Sequence, residues 1–395
     1  MKFSYIVPAF LLTFTLLFIS CSDDPSSLGV DLIGSEYINV KTYDSINDTI
    51  NQNSSYFKNV IPLGSADWIL IGRYQNQNIQ ASSLLNFIFI LPDTLKTYVL
   101  EDSINVLDSW IDLYQRYTYV DSSATMNFTV HKVNSYWSSA TFTIDSLPTL
   151  QYEANDVSSD FSINDSMYSF HLDNSLILSW LINSADNTLE KNFGIYIDPT
   201  ASSNKVLGFQ ALTSTSTDPA QLTVVIEKPG SFVDTISGYI NADVSMVDGE
   251  VPSLPAGLMC VQSSITIDSK LKFDLGVLPP GVVINKAELF ITYDSPNSVK
   301  GSITNNTLKV YYLSGDDSIT TEGSALTLLF SNNQYSGDIS PFIRTWLGRN
   351  ENHGMLVEAG GSETGLDLFA LKGSDYSDIS ERPRLRISYT QKMNQ

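Results

Sequence analysis

The side chains in this chain that could carry out chemistry are three histidines, two cysteines and a large excess of carboxylates. His131, His171 and His353 do not lie in an HExxH pattern or near a CxxC pair. Zinc sites are recognised by such spacings, because their ligands must converge on one ion. The sequence also lacks a G-x-S-x-G elbow, a P-loop and a G-x-G-x-x-G turn after a strand. We therefore predict that the protein is not an enzyme.

The carboxylates leave two other chemistries open. Glycoside cleavage needs two carboxylates about 5–9.5 Å apart, and a sequence does not reveal that separation. Calcium takes oxygen ligands, which Asp316 with Asp317 or Asp375 with Asp378 could supply, but EF-hand spacing is absent. Solvated acidic loops are the simpler explanation. We expect no cofactor, and calcium stays an alternative that no motif supports.

One predicted strand carries the best candidate for a ligand-contact surface. Between Ser109 and Tyr117, Ile111 and Leu113 fall on one face, which is typical of side chains that point into a core. The opposite face carries Trp110, Asp112, Tyr114 and Arg116. Aromatic rings stack on the C–H groups of sugars, and the charges can bind hydroxyls or uronates. A second interpretation remains open, in which another layer of protein covers this face.

Composition limits the partners. The net charge is −21, whereas nucleic-acid binding needs a basic surface that displaces counterions, so we expect no nucleic-acid partner. Electrostatic docking to anionic lipid is disfavoured for the same reason. A length of 395 residues favours two domains, and an apolar fraction of 43% is sufficient for packed cores.

The N-terminus has the pattern of a targeting segment. One lysine precedes an apolar run of roughly 15 residues, which is short for a membrane span. The run ends at Ser20-Cys21. Residues 1–20 resemble a bacterial lipoprotein signal peptide with Cys21 as the lipidated residue, and the following Asp23-Asp24 resembles the surface-export signal of Bacteroidota lipoproteins. The resemblance implies an outer-membrane lipid anchor and exposure to the cell exterior, with an uncleaved anchor as the alternative.

The remaining chain favours strands. Residues 21–60 show no strong periodicity, and we interpret them as a polar lead-in or tether. After residue 60, short β-prone runs alternate with clusters of Gly, Asn, Asp, Ser or Pro, which is typical of antiparallel sandwiches and jelly rolls. Trp180 and Trp346 lie in segments that predict one or two helical turns.

The same order of elements occurs twice. Trp180 and Trp346 are each followed by a leucine, an Asn-containing gap, and a glycine (Gly194 or Gly354) that begins a strand. We expect each indole to fill one end of a core and each glycine to allow close approach of neighbouring backbone. A proline before the last strand, Pro383 in the second copy, closes the unit.

The second copy is similar to the DNRLRE domain, a β-sandwich of secreted bacterial proteins. The matching residues are Lys272–Leu275, Leu278-Pro279, Gly281, Ile284, Ala287, Leu289, Asp338-Ile339, Trp346, Gly354 and Arg382–Leu385. The first copy fits more loosely, with Trp137 and Pro148 in a middle element that the second copy lacks. The resemblance implies an all-β fold of two tandem antiparallel, jelly-roll-like β-sandwiches at 61–228 and 229–391.

Some DNRLRE-like domains are associated with polysaccharide binding. The resemblance therefore implies a non-catalytic surface lipoprotein that binds polysaccharide or mediates adhesion. The alternatives are a structural spacer or a component of an outer-membrane assembly with a surface protein partner, and, least favoured, a glycoside-active enzyme. Cys260 lies in an apolar stretch, which indicates a small buried hydrophobic residue.

Overall fold

A computed structural model describes residues 38–392 of the chain, except 49, 121, 122, 187, 190, 214, 317, 318 and 362. The described part is mostly β-structure, arranged in a ten-stranded and an eleven-stranded sheet with antiparallel pairings. This confirms the predicted all-β class of sandwich-like bodies. The predicted signal peptide and Cys21 lie outside the described residues.

The strands are numbered along the chain. The N-terminal pair is β1 (Ile38–Asp44) and β2 (Gln52–Lys58). The next ten are β3 (Trp68–Tyr74), β4 (Ile79–Ile88), β5 (Asn105–Tyr119), β6 (Phe128–Lys132), β7 (Ser158–Asn164), β8 (Met167–Leu172), β9 (Ile195–Pro199), β10 (Val206–Gln210), β11 (Gln221–Lys228) and β12 (Phe232–Asp248). The last nine are β13 (Leu258–Gln262), β14 (Ile267–Phe273), β15 (Val283–Thr292), β16 (Thr307–Leu313), β17 (Thr321–Ser331), β18 (Gln334–Asp338), β19 (Met355–Ala359), β20 (Leu368–Lys372) and β21 (Arg384–Lys392).

Three α-helices lie in the described residues: α1 (Asp93–Leu100), α2 (Asn174–Ala185) and α3 (Ser340–Arg349). Helix α2 begins where the Asp173 carboxylate accepts the Ser175 N–H at 2.9 Å, a standard N-cap. It buries Leu176, Ile177, Trp180 and Leu181, which share one helical face. Both α2 and α3 are longer than the one or two turns that the sequence predicts.

The first body comprises β3–β12 with α1 and α2. Its hydrogen-bonded order is β10-β3-β4-β12-β11-β5-β8-β7, and β9 pairs with β4 and β6. Because β10 also pairs with β5, six of these strands form a closed ring. Trp180 is 2% exposed within the core that the ring encloses.

The second body comprises β1, β2 and β13–β21 with α3, in the order β1-β21-β15-β18-β17-β16-β19-β14-β13-β20, where β2 pairs with β14. Isolated bridges join Tyr293 to Leu371 and Val299 to Leu368, so the end of this path returns to the region that follows β15. The sheet therefore curls around a single core, in which Trp346 is 2% exposed.

The predicted domain limits are 21–60, 61–228 and 229–391. Two segments of the chain lie in a different sheet from the one that these limits predict. Residues 38–58, interpreted as part of a tether, form β1 and β2 of the second sheet. Residues 232–248 follow the predicted boundary but form β12 of the first sheet. The reason is that β1 and β2 pair with strands more than 200 residues away, so that no local pattern marks them. At the end of β1, the buried Asp44 carboxylate accepts the Nε–H of Arg384 at 2.9 and 3.0 Å.

Strand β12 occupies the same position in the first sheet as β1 and β2 together occupy in the second sheet. Strand β12 pairs first with β11 and then with β4 in the first body. In the second body, β1 pairs with β21 and β2 pairs with β14, so a strand, a turn and a second strand replace one continuous strand. Each body thus needs a strand from outside its own repeat to complete its sheet.

An asparagine clamp precedes β9 in the first body. Asn192 donates its Nδ2–H to the Phe87 carbonyl at 2.8 Å and accepts the Gly194 N–H at 2.6 Å. Gly194 has a φ of +82°, and a Cβ there would lie 2.0 Å from the Leu85 carbonyl oxygen. Only glycine fits a backbone that approaches β4 this closely.

The same clamp precedes β19 in the second body. Asn352 donates to the Phe273 carbonyl at 2.6 Å and accepts the Gly354 N–H at 3.0 Å. Gly354 has a φ of +83°, and its Cβ would lie 2.8 Å from the Leu271 carbonyl oxygen. The repeat that the sequence shows is therefore also a repeat of backbone geometry.

The two bodies meet at a buried seam, defined by Tyr117, Tyr119, Gly301, Leu366 and Asp367. Tyr117 and Tyr119, at the end of β5, are 0% exposed. The Tyr117 hydroxyl accepts the Leu366 N–H at 2.9 Å, and Tyr119 forms a β-bridge with Gly301. Hydrogen bonds and apolar packing therefore join the first body to the second across this seam.

Asp367 supports the seam from the second body. Its Oδ1 accepts the Gly301 N–H at 2.7 Å and lies 3.4 Å from the Tyr117 hydroxyl. Burial raises the pKa of this carboxyl above its ordinary value. Cys260 packs in the same cluster, is 0% exposed, and has a thiol pKa that burial raises to about 12. Its environment is that of a small apolar side chain.

We predict that Tyr117→Phe lowers the free energy of unfolding by about 1–3 kcal/mol, because the buried Leu366 N–H and the Asp367 carboxylate lose a partner. Urea denaturation of the full-length protein measures this change. Tyr114→Phe, on the same strand but half-buried, is the control and should change stability by less than about 0.5 kcal/mol. Equal effects of the two substitutions would contradict the role of the seam.

Candidate functional site

The strand register defines one open side of the first sheet. Residues directly opposite each other in antiparallel strands point to the same side. Asp112 of β5 pairs with Ser169 of β8 and with Gln221 of β11, and Gln221 pairs with Tyr239 of β12. We call this side the outer face. Its main side chains are Trp110, Asp112, Tyr114, Ser169, His171 and Tyr239.

Trp110 lies beside His171 in the middle of the outer face. The two residues are paired across β5 and β8, with ring centroids 6.0 Å apart and planes inclined by 38°. The His171 Nδ1 lies 2.7 Å from the Asp108 carboxylate, which fixes the orientation of the imidazole. Both rings are half-buried, so each retains exposed surface.

Asp112 holds the indole in place. It is 9% exposed, and its Oδ2 accepts the Trp110 Nε1–H at 3.2 Å. Its Oδ1 accepts a short hydrogen bond from the Ser169 hydroxyl. Since both carboxylate oxygens have partners, Asp112 positions Trp110 rather than presenting a free charge to a ligand.

Tyr114 and Arg116 differ in their surroundings. Tyr114 is half-buried on the outer face and pairs with Met167 of β8. Arg116 is exposed, and its guanidinium forms an ion pair with Asp218 at 2.5 Å. The structure thus places Trp110, Asp112 and Tyr114 on one face and leaves Arg116 at its edge with its charge compensated.

Three side chains of the outer face were not predicted from the sequence. Ser169 and His171 come from β8, and Tyr239 comes from β12 beyond the predicted domain boundary. Tyr239 is 56% exposed, and Ile88, its partner on β4, is 42% exposed. Within the described residues no further layer covers this part of the sheet. The alternation of side chains within each strand could indicate which residues of that strand point outward. It could not indicate which strands pair, because pairing joins residues far apart in the sequence.

The equivalent face of the second body has a different chemistry. There β15 lies between β21 and β18, as β5 lies between β11 and β8. Glu288 pairs with Arg386 and forms an ion pair with Lys286 at 2.7 Å. The Arg386 guanidinium lies 5.5 Å from the centre of the Phe290 ring. On this face of the second body, charged side chains thus surround the single ring of Phe290, whereas Trp110 and Tyr114 lie on β5 of the first body.

The residues with predicted structural roles lie inside. Trp180 and Trp346 are buried in the two cores. Trp137 is 8% exposed and donates its Nε1–H to the Phe193 carbonyl at 2.8 Å. Pro383 is buried between the short helical turn at 379–381 and β21.

The predicted acidic loops make internal contacts. Asp316 accepts the Lys272 ammonium at 2.7 Å, and Asp378 accepts the Ser380 N–H at 2.9 Å. In the part of the chain that the structure describes, no group of three or more His, Cys, Asp or Glu side chains could hold a metal ion.

None of the described helices is both long enough and apolar enough to cross a bilayer.

Neither protein-family models nor curated proteins give a match to this chain. The similarity to the DNRLRE domain and the lipoprotein interpretation therefore stay predictions from the residues.

Two carboxyls with raised pKa values, those of Asp268 and Glu358, lie in the second body, away from the outer face. Asp268 of β14 is 4% exposed and accepts the Asn59 Nδ2–H at 2.9 Å. Burial raises its pKa to about 6. Burial, followed by the charge of Asp268, raises the pKa of Glu358 to about 7. We interpret the raised pKa values of these two carboxyls as a consequence of their burial, not as a sign of catalysis.

Asp268 gives a prediction for the dependence of stability on pH. The folded protein retains the Asp268 proton at pH values where the unfolded chain has lost it. The contribution of Asp268 to stability therefore falls as pH rises from about 4 to about 6, and the loss persists above that range. A shift from 3.8 to about 6 corresponds to about 3 kcal/mol.

Asp268→Asn removes this ionisation. Relative to the unsubstituted protein, the variant should gain about 3 kcal/mol between pH 4 and pH 7.5, as measured by urea unfolding at several pH values. Asp234→Asn is the control, because Asp234 is exposed, and its free energy of unfolding should differ little from that of the unsubstituted protein at every pH. A stability difference that does not change with pH would disprove the assignment.

Proposed function

We propose that this protein is a non-catalytic lipoprotein of the outer membrane, exposed to the cell exterior, that binds polysaccharide through the outer face of its first body. The observation that carries the proposal is that Trp110, Tyr114 and Tyr239 lie on one open side of one sheet. The ordered indole and the flanking polar groups support binding by stacking combined with hydrogen bonding.

The spacing of the aromatic side chains favours an extended ligand. Trp110 and Tyr114 are four residues apart on β5, which corresponds to about 13 Å between their Cα atoms. Tyr239 lies two strands from β5, about 10 Å to the side. A single sugar ring cannot contact all three side chains, whereas a polysaccharide chain lying across the strands can.

The charges of this face favour a neutral polysaccharide. Asp108 and Asp112 place carboxylates beside Trp110, and the positive charge of Arg116 is compensated by Asp218. A uronate would meet these carboxylates without a free cationic partner on β5. The net charge of −21 also repels an anionic polysaccharide.

The carboxylates of this face support binding rather than cleavage. Asp108 and Asp112 are four residues apart on β5, so their Cα atoms are about 13 Å apart. Each carboxylate is also held by its own neighbours, Asp108 by His171 and Asp112 by Trp110.

The strand pairing supports a defined orientation at the membrane. Ile38, where β1 begins, pairs with Lys392 near the end of β21, so the anchored end of the chain enters through the second body. With lipid on Cys21, the chain that leaves the membrane reaches the second body before the first.

A second candidate function is a spacer or component of an outer-membrane assembly with a surface protein partner. The seam favours it, because Tyr117 and Gly301 join the two bodies through buried groups. Copurification of one defined outer-membrane protein, with no retention on any polysaccharide, would select this function over polysaccharide binding.

The polysaccharide proposal predicts that Trp110→Ala and Tyr239→Ala each weaken binding. Loss of one stacking surface is worth about 0.5–1.5 kcal/mol, which corresponds to roughly 2- to 10-fold in affinity. The measurement is retention of the full-length protein on immobilised neutral polysaccharides, followed by affinity gels with the soluble polymers.

Tyr136→Ala is the matched control, because Tyr136 is 77% exposed but lies beside Trp137, away from the outer face. It should leave binding unchanged, and circular dichroism should show that all three variants fold. Unchanged binding by Trp110→Ala and Tyr239→Ala, or an absence of retention on every polymer, would reject the proposal.

A further inference from the structure

The two bodies differ in one strand pairing. In the second body, β17 pairs with both β18 and β16, and β16 pairs with β19. In the first body, β7 and β6 hold the equivalent positions beside β8 and β9. There, among the described residues, β6 and β7 form no ladder with each other. We call the space between them, bounded by residues 126–130 and 156–163, the edge cleft.

Hydrogen bonds join the two strands at one end of the edge cleft. The Val157 N–H donates to the Val130 carbonyl at 2.8 Å, and the Asp156 Oδ1 accepts the Val130 N–H at 3.0 Å. Beyond this point a bulge interrupts β7 at Asp160, whose φ is +50°. Because a bulge bends its strand, β7 diverges from β6 there. The edge cleft opens into a cavity of about 230 Å³.

Two apolar side chains of β7 are exposed at the edge cleft. Ile163 pairs with Tyr168, a buried member of the core, so both side chains point to the core side of the sheet. Ile163 is nevertheless 55% exposed, and Phe161 is 44% exposed. The Phe161 ring packs edge to face on Phe128 of β6, with centroids 5.4 Å apart. In the part of the chain that the structure describes, no strand covers these side chains from the free edge of β7.

The free edges also present main-chain groups. Asn164 and Met167 flank the two-residue turn between β7 and β8 and form a hydrogen-bonded pair. Since hydrogen-bonded and non-hydrogen-bonded pairs alternate in an antiparallel ladder, Ile163 directs its N–H and C=O away from β8. On β6, Val130 turns both groups toward β7, and Phe128, two residues earlier, turns its own the same way. An extended segment in the edge cleft can therefore form ladder hydrogen bonds.

The charges at the edge cleft are negative. Asp156 and Asp160 line the cavity, and Asp165 lies in the turn that ends β7. The described residues that line the cavity include no lysine or arginine. A basic segment therefore has the complementary charge, whereas a second copy of this chain, with a net charge of −21, is repelled.

We propose that the edge cleft binds an extended, basic segment of a partner protein, which adds a strand to the free edge of β7. Its main chain hydrogen-bonds to Ile163, and its apolar side chains cover Ile163 and Phe161. In such strand addition the main-chain hydrogen bonds provide affinity, and the pockets for alternate side chains provide specificity. The edge cleft does not include Trp110. The inference thus goes beyond polysaccharide binding, and either proposal can fail without the other.

The probe is a labelled peptide of seven residues, acetylated and amidated at its ends, in which lysine and valine alternate. Fluorescence anisotropy with the full-length protein measures its affinity. We expect saturable binding, which becomes at least tenfold weaker when glutamate replaces each lysine. Trp110→Ala, on the outer face, should leave peptide binding unchanged.

Ile163→Pro removes the N–H that points to the free edge and leaves the ladder with β8 in place, since proline is tolerated at such edge positions. It should weaken binding of the lysine peptide at least tenfold. Ile163→Val keeps the N–H and is the matched control, with an expected change of less than threefold.

A charge variant tests the second part of the proposal. Asp160→Asn combined with Asp165→Asn should weaken binding of the lysine peptide by roughly threefold, because two uncompensated carboxylates are lost. Asparagine adopts the positive φ of both positions, so the fold should persist. Circular dichroism checks the fold of every variant, and if Ile163→Pro does not fold, the charge variant decides.

Three results would overturn the proposal: no saturable binding of the lysine peptide, equal affinity for the glutamate peptide, or unchanged binding by Ile163→Pro. Sedimentation velocity adds a fourth. A dimer of the full-length protein that Ile163→Pro dissociates would assign the edge cleft to a second copy of the chain and reject a basic partner.

Discussion

The arrangement of this protein depends on the burial of Tyr117 between its two bodies. The hydroxyl that a tyrosine brings into a seam must find partners, and here the Leu366 N–H and the Asp367 carboxylate provide them. Gly301 allows the ring to approach, because a Cβ there would lie 2.2 Å from the hydroxyl oxygen. The seam sets one body against the other and leaves the outer face of β5 free.

Strand exchange along the chain reinforces this union. The second body takes β1 and β2 from the N-terminal segment, and the first body takes β12 from beyond the end of its repeat. Each sheet therefore contains pairings between residues far apart in sequence, such as β1 with β21 and β12 with β4. A repeat seen in sequence is here not equivalent to an independent structural unit.

The two bodies share a backbone plan but have diverged in surface. The Asn-x-Gly clamps at Asn192 and Asn352 form the same two hydrogen bonds. Around this common frame, the first body presents Trp110 and Tyr239 on its open face, whereas the second presents ion pairs such as Lys286–Glu288. Conversely, the cavity beside Asn352 in the second body is larger than the one beside Asn192 in the first. The two bodies thus differ in surface chemistry on a shared backbone plan.

The sequence by itself determined the local features. Alternation identified Ile111 and Leu113 as core and Trp110 as outward-facing, and the repeat identified the buried positions of Trp180 and Trp346, because side-chain periodicity is a property of a few consecutive residues. Only the tertiary structure decided which strands pair. It placed β1 and β2 in the second sheet, brought His171 beside Trp110, and put Tyr239 on the same face two strands away. Strand pairing is fixed by hydrogen bonds and burial across long sequence separations, which no local pattern encodes.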